Sequence, residues 1–299
     1  MDIKSRRFKA IDLLYILMMV LPIIFGIVLK ILTKPAADGI VIEGAFIYLN
    51  IPMPIQNLII TESQINSVIV LITMLGMCQY LTHGMKYGCI CKRHHIAELI
   101  VEKVSDMVVG NMGKYFSGFA PFVVSILAIS GLSSLITLCG LYPPTSDVNI
   151  VGGWAILVFI LITYYKFKCG PVQYIKSFAD PVALMPLNLI SEVATPISMA
   201  FRHYGNVLSG SVISVLIAAG LQGLSAKVFG ALPGFLGEFP FLQIGLPAIL
   251  SLYFDLFSGC LQAYIFAMLT MLYVSGGFPA ELYEKRKQKK LNKQKHANA

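Results

Sequence analysis

One arginine lies inside an otherwise apolar stretch, and its neighbours at helical spacing are polar. Arg202 falls within residues 196–210, and three more polar side chains share its face of a helix, namely Ser198, Asn206 and Ser209. Arginine stays protonated in proteins, and a charge at the bilayer centre costs at least about 2.5 kcal/mol. A carboxylate, a substrate or an aqueous channel must offset that cost. Two interpretations stay open at this point, an internal ion pair that only fixes helix packing and a role in transport.

A second polar face is predicted on the last apolar helix. Four of its residues share that face at α-helical spacing, namely Asp255, Ser258, Gly259 and Gln262. Asp255 can titrate and suits a proton relay in a partly aqueous cavity, but it can equally serve only to neutralise Arg202. Glu192 precedes Arg202 by ten residues and is either a solvated carboxylate at the membrane interface or part of an ion pathway.

The elements that must position these residues are membrane helices. The chain has 299 residues, of which 57% are hydrophobic and only 13% charged, far too apolar for a soluble domain. We predict an all-α polytopic membrane protein with about six embedded helices, near residues 11–32, 60–81, 119–141, 151–167, 181–224 and 247–274. The fifth run would be roughly 60 Å long as a helix, about twice the hydrocarbon thickness, so it must be bent, tilted or split.

Residues 96–116 differ from these runs because apolar and charged side chains alternate at helical spacing. The apolar side chains share one face of a helix and the charged ones the other, which predicts an amphipathic helix that lies in the membrane interface. Residues 33–60 carry several prolines and glycines and predict an external loop with short strands near residues 39–49. The turn at residues 143–149 offers Ser146 or Asp147 as the N-cap of the next helix.

The formal net charge of +8 comes from short basic tails and loops, which is how membrane topology is encoded rather than how nucleic acid is bound. All basic clusters fall on one side if both termini are cytoplasmic and the number of crossings is even. A signal peptide is the alternative for the N-terminal run, although its apolar part is longer than such peptides usually carry.

The cysteines and histidines do not predict a metal centre. Cys89 and Cys91 precede His94 and His95, but this spacing matches no common zinc pattern. The cysteines in apolar runs are interpreted as small packing residues, and they are Cys78, Cys139 and Cys260. We expect no disulfide, no metal and no cofactor, and no Walker-type glycine-rich loop indicates a nucleotide site.

Two runs are specific enough to indicate a family. Residues 196–210, which contain Arg202 and Asn206, and residues 261–273, which contain Gln262, together resemble subunit a of the F-type ATP synthase. The segments 144–149 and 186–190 are similar to that family as well. The similarity extends from about residue 60 to residue 276.

This resemblance implies a non-catalytic, ion-translocating stator subunit in a bacterial cell membrane. In the family, the two final helices form a long tilted hairpin against a rotating ring of c subunits, and two aqueous half-channels open to opposite sides. The arginine matching Arg202 faces the ring carboxylate, and the glutamine matching Gln262 lies opposite it. Ser211 and Asp255 match a polar pair in one half-channel. The implied partners are the c-ring, the b subunits of the peripheral stalk, F1 and the lipid bilayer.

The chain departs from the family pattern at a few positions. Many members carry a histidine and a carboxylate where this chain has Ser211 and Asp255, which leaves Asp255 as the main titratable candidate. The arginine is usually followed by Leu-Phe, whereas His203 and Tyr204 follow it here, and Thr137 replaces a common asparagine.

The expected organisation has four parts. Residues 1–35 form an extra N-terminal transmembrane helix, 36–59 an external loop, 60–276 the membrane domain and 277–299 a basic cytoplasmic tail.

Two other functions compete with the stator subunit. A stand-alone secondary transporter would use Arg202 to bind an anionic substrate. An intramembrane hydrolase is disfavoured because the chain has neither His-Glu-x-x-His nor Gly-x-Ser-x-Gly. The sequence leaves open whether the coupling ion is H⁺ or Na⁺.

Overall fold

A computed structural model describes residues 3–33, 44–54, 57–85, 92–170, 174, 184–229, 245, 249–250 and 252–276. The described helices are α1 (Ile3–Thr33), α2 (Glu62–Thr82), α3 (Lys92–Met112), α4 (Ala120–Leu135), α5 (Val148–Cys169), α6 (Met185–Phe229) and α7 (Gly259–Gly276). Two strands, β1 (Ile47–Ile51) and β2 (Leu58–Thr61), form an antiparallel hairpin before α2.

The prediction of an all-α polytopic membrane protein is confirmed. Among the described residues, six helical segments are long and apolar enough to cross a membrane, namely Ala10–Thr33, Glu62–Thr82, Lys114–Cys139, Val148–Lys168, Met185–Ser225 and Leu252–Gly276. Many of their large apolar side chains point outwards, for example Leu14 and Ile160, each 60% exposed. Such exposure suits contact with lipid, whose tails are as apolar as these side chains.

The fifth apolar run is one continuous helix and is not split. The helix α6 has 45 residues and contains Pro196 in its first third. At 1.5 Å per residue it is about 67 Å long, roughly twice the thickness of a bilayer core, so it must lie tilted or bent in the membrane.

The last span is not the single α-helix that was expected over residues 247–274. Leu252–Ser258 forms a π-helical segment, and α7 continues from it to Gly276. A π-helical turn contains more residues than an α-helical turn and therefore changes which side chains share a face.

The hairpin and α3 begin at different places from those predicted. The strands lie at residues 47–51 and 58–61, later than the expected 39–49, of which residues 39–43 lie outside the described part. The helix α3 covers residues 92–112 and is followed by a 3₁₀ helix, Lys114–Phe119. Its predicted position in the membrane interface remains a prediction.

The main apolar core joins α3 to α7 and positions α6 against its neighbours. Its buried members include Val108 of α3, Val123 of α4, Val158 of α5, Met199 of α6 and Met271 of α7. A smaller cluster around Ile69, Val70, Ile136 and Leu141 packs against α1.

Polar contacts fasten α1 near both of its ends. On one side, Asp12 Oδ1 lies 2.7 Å from His83 Nδ1 and accepts a hydrogen bond from Arg93 Nη1 at 2.9 Å. On the other, Lys30 Nζ lies 4.0 Å from Oε1 of Glu62, which is buried. The N-terminal helix is therefore an integral part of this bundle.

Two local predictions have clear outcomes. Asp147 is the N-cap of α5, because its carboxylate accepts a hydrogen bond from the backbone N–H of Asn149 at 2.9 Å. The three cysteines interpreted as packing residues, Cys78, Cys139 and Cys260, are instead exposed on the chain. The prediction of buried cysteines was wrong because an apolar run does not reveal which face of its helix is exposed.

Cys89 and Cys91 lie outside the described residues. Nearby His94 is buried, and its Nε2 lies 2.9 Å from the backbone carbonyl of His83.

Candidate functional site

Two contacts fix how α6 runs against the last span. Asn206 Nδ2 donates a hydrogen bond to Ser258 Oγ at 2.7 Å. One turn further along α6, a Cβ on Gly210 would lie 3.1 Å from the ring of Phe254, so the two helices approach closely there. This step of four residues along α6 is thus matched by four residues back along the last span.

Arg202 lies on an outward apolar face of this hairpin. Its side chain is exposed, and so are those of Ile197, Phe201 and Leu261. Among the described carboxylates none forms an ion pair with Arg202, so the interpretation in which Asp255 neutralises it does not match the structure. The positive charge therefore points away from the chain that carries it.

The polar neighbours of Arg202 have different surroundings. Ser198 is exposed, and Gln262 is half-buried. The hydroxyl of Ser209 donates to the Gly205 carbonyl at 2.6 Å, and that of Ser211 to the Leu208 carbonyl at 2.8 Å. Both hydroxyls thus bond to the backbone of their own helix, which is common for serine in membrane helices.

Asp255 is half-buried and lies within the π-helical segment. The expected common face of Asp255 with Ser258 and Gly259 assumed α-helical spacing throughout. In the structure, Ser258 contacts α6, whereas a Cβ on Gly259 would lie 2.5 Å from Ser134 Cβ of α4. Consecutive residues at this point therefore pack against two different helices.

Glu192 forms a second polar site on α6. Lys166 Nζ of α5 donates to both of its carboxylate oxygens, at 2.6 and 2.7 Å, and the Tyr174 hydroxyl lies 3.4 Å from Oε1. Burial raises the pKa of Tyr174, and the Glu192 carboxylate raises it further, so the phenol keeps its proton at neutral pH.

A cavity of about 310 Å³ adjoins this ion pair and is also lined by Thr195 and Tyr273. Glu192 is therefore a half-buried, paired carboxylate beside a cavity and not a fully solvated group at the interface.

Sequence reasoning missed three residues that the structure adds. Lys166 of α5 pairs with Glu192 of α6. Tyr174 joins that pair, and His203 is buried directly beside Arg202 in the chain. The one available signal was His203, since a titratable residue replaces the usual leucine at that position.

Comparison with known proteins adds independent information. Residues 64–275 match the family model described as ATP synthase A chain. The ATP synthase subunit a of Desulforamulus reducens is 33% identical over 182 residues, which are 60% of this chain and 64% of that protein. That of Legionella pneumophila is 28% identical over 233 residues, covering 76% of this chain and 90% of the relative. That of Nitratidesulfovibrio vulgaris is 30% identical over 190 residues, or 62% of this chain and 72% of the relative.

The matched region contains every candidate residue described above, and α1 lies before it. This chain spans slightly less than two thirds of the Desulforamulus relative.

Proposed function

We propose a stator function for this chain because it belongs to the ATP synthase A chain family. In this function the chain is the ion-translocating membrane subunit of a rotary F-type ATP synthase. It has no catalytic role with nucleotides and carries ions between the two sides of the membrane and a ring of c subunits. The observation that carries the proposal is the exposed, outward-facing Arg202 on a membrane-spanning helix of a family member.

The proposed role of Arg202 is to face the carboxylate of each passing c subunit. A protonated ring carboxylate is neutral and can face lipid. As it approaches Arg202, the positive charge favours its ionised form, lowers its pKa and releases its proton. The exposure of Arg202 and the apolar side chains around it support this role, because an outward charge needs a counter-charge from another protein. We assign Gln262 to the position opposite Arg202, where it supplies hydrogen bonds without titrating.

Two polar sites on opposite sides of Arg202 support separate access routes for ions. Glu192 lies ten residues before Arg202, about 15 Å along α6, beside its cavity. Ser211 lies nine residues after Arg202, about 14 Å in the other direction. We assign the first site to the cytoplasmic half-channel and Ser211 with Asp255 to the external one. Ser198 and Asn206 line the face between them.

This offset explains why ions must pass through the ring. Arg202 blocks the direct passage of cations between the two routes, so an ion entering one side can leave only after the ring has turned. Each charge that crosses a potential of 100 mV supplies about 2.3 kcal/mol, which drives rotation, and in the reverse direction the ring pumps ions out.

The remaining assignments follow from the same proposal. The partners are the c-ring, the b subunits of the peripheral stalk and F1, and the location is the plasma membrane of a bacterium. Residues 1–35 provide an added transmembrane helix, 36–59 an external loop, 60–276 the membrane domain and 277–299 a cytoplasmic tail. The coupling ion is H⁺ or Na⁺, a choice that lies mainly in the c subunit.

Substitution of Arg202 tests the proposal. We expect Arg202→Ala to abolish ATP synthesis driven by an ion gradient in membrane vesicles that contain the whole complex. Arg202→Lys should be nearly as damaging, because lysine can lose its proton and lacks the planar guanidinium. The control is Lys227→Ala, which removes an exposed positive charge from the same helix outside the site.

The amounts of this chain and of c subunits in each membrane are measured alongside synthesis. Coupled synthesis in Arg202→Ala would refute the proposal. Transport by the purified chain alone, without a c-ring, would instead favour a stand-alone transporter.

A further inference from the structure

The residue next to Arg202 in the chain points into the protein. Arg202 is exposed on the outward face of α6, whereas the side chain of His203 is buried, with 1% of its surface exposed. Successive residues of an α-helix are about 100° apart around its axis. The rotation of α6 about its axis therefore sets the directions of both side chains together. Any contact that fixes the direction of His203 therefore also fixes the direction of Arg202.

His203 contacts three other helices. Its Nε2 lies 3.3 Å from the hydroxyl of Ser130 on α4, which is itself fully buried. Its ring meets Trp154 of α5 and Phe266 of α7 edge-on, with centroids 6.0 and 5.8 Å away. The other ring nitrogen, Nδ1, is buried and has no hydrogen-bond partner among the described residues.

A histidine in this environment contributes specificity rather than stability. The unsatisfied Nδ1 of His203 disfavours the folded state. An apolar side chain of similar volume would fill the space between Trp154 and Phe266 without that cost. A hydrogen bond, however, has a preferred direction, whereas apolar packing tolerates small rotations. A buried polar pair can thus fix one register of a helix that apolar contacts alone would leave loose.

We propose that His203 is a positioning residue for Arg202. Its hydrogen bond with Ser130 and its aromatic surroundings hold α6 in the rotation that aims the Arg202 guanidinium at the ring. The inference rests on the proposed function, since it assumes that the direction of Arg202 controls coupling. Loss of the His203–Ser130 bond would let α6 rotate or slide, so that ions leak past the arginine while the complex still assembles.

Three substitutions at position 203 separate positioning from simple packing. In His203→Leu the volume is kept and the hydrogen bond is lost. In His203→Gln a polar atom remains near the position of Nε2, whereas in His203→Asn the polar atoms remain only near the position of Nδ1. The measurement is the number of ions pumped per ATP hydrolysed by the whole complex in vesicles, together with passive ion leak and complex abundance.

We expect His203→Leu and His203→Asn to lower the pumping ratio by roughly threefold or more at normal abundance. His203→Gln should restore most of it. A normal pumping ratio in His203→Leu would overturn the proposal, as would equal loss in the Gln and Asn variants.

Substitution of the partner gives an independent measurement. Ser130→Ala should lower the ratio like His203→Leu, and the double variant should be no worse than either one, because both remove the same bond. Additive losses, or a normal ratio in Ser130→Ala, would overturn the proposal even if His203→Leu failed to assemble.

The position of α6 relative to the last span can also be measured by cross-linking, without an activity assay. A disulfide between cysteines placed at Asn206 and Ser258, whose side chains are 2.7 Å apart, should form less completely when combined with His203→Leu. Unchanged cross-linking would contradict the rotation. These results are distinct from failure of the proposed function, which would appear as coupled synthesis in Arg202→Ala.

Discussion

At the scale of single residues, a guanidinium on the outward face of a membrane helix requires a counter-charge. Arg202 cannot give up its proton, and its outward neighbours, among them Phe201 and Leu261, are apolar. A partner carboxylate meets this requirement and has its own pKa lowered in return. In the proposed function, this one contact accounts both for the tolerance of the arginine in the membrane and for the release of a proton from the ring.

The first prediction at this scale concerns Asp255. If it is the proton relay of the external route, Asp255→Asn should slow passive ion conduction strongly, because asparagine keeps size and hydrogen bonding but cannot titrate. Asp255→Glu should keep much of the flux. The measurement is proton flux through membranes that contain the c-ring and have been stripped of F1, with the amount of this chain retained.

Assembly distinguishes the two interpretations of Asp255. If Asp255 instead only holds the last span in place, loss of its charge should weaken that packing, so Asp255→Asn would then assemble poorly. Normal flux in Asp255→Asn would eliminate the relay role. Lost flux together with lost assembly would favour the structural one.

At the scale of elements, small residues allow the last span to approach its neighbours. Gly259 faces α4 so closely that an added Cβ would lie 2.5 Å from Ser134 Cβ, a distance that backbone movement must relieve. We expect Gly259→Ala to destabilise the fold by about 1–3 kcal/mol, which is typical of overpacking. The measurement is the thermal unfolding midpoint of the purified complex in detergent.

A matched glycine provides the control. Gly220 lies in α6 with nothing within 4 Å of its added Cβ. Since alanine favours helix by up to about 1 kcal/mol over glycine, Gly220→Ala should leave the midpoint unchanged or raise it. A midpoint as high in Gly259→Ala as in the unsubstituted protein would show that α4 and α7 do not pack as closely as described.

The same scale shows what the sequence could predict. All six spans were located, because a bilayer demands about 20 apolar residues and that demand is visible in composition. The sequence could not predict whether the fifth run was split or where the last span became π-helical. Both depend on the pattern of backbone hydrogen bonds, which an apolar composition does not reveal. The placement of Gln262 opposite Arg202 was implied only by resemblance and stays a prediction. The hydrogen bond that the structure shows between these two elements joins Asn206 to Ser258.

The polar partners that cross between helices were beyond sequence reasoning. Glu192 and Lys166 are 26 residues apart on different helices, so no local spacing links them. His203 and Ser130 are 73 residues apart, and only the folded bundle brings them together.

At the scale of the whole molecule, the number of crossings decides on which side of the membrane each basic cluster lies. The six candidate spans in the described part of the chain, an even number, return it to the side on which it began. The basic residues cluster before the first span, near residues 86–93, near 166–176 and after the last span. With a cytoplasmic N-terminus, all four clusters fall on the cytoplasmic side, as the positive-inside rule requires. Polar contacts with Glu62 near one end of α1, and with His83 and Arg93 near the other, hold this first span in the bundle, so it is included in the count.

The last prediction tests this orientation directly. In a background whose six cysteines are replaced by serine, a cysteine at Asn50 of the exposed hairpin should react with a membrane-impermeant maleimide added to intact cells. A cysteine at position 295, in the basic tail, should react only after the membrane is opened, because the proposed topology places the tail in the cytoplasm. Labelling of both positions in opened membranes is the control for reactivity. The reverse pattern in intact cells would invert the topology, and labelling of both there would mean an odd number of crossings.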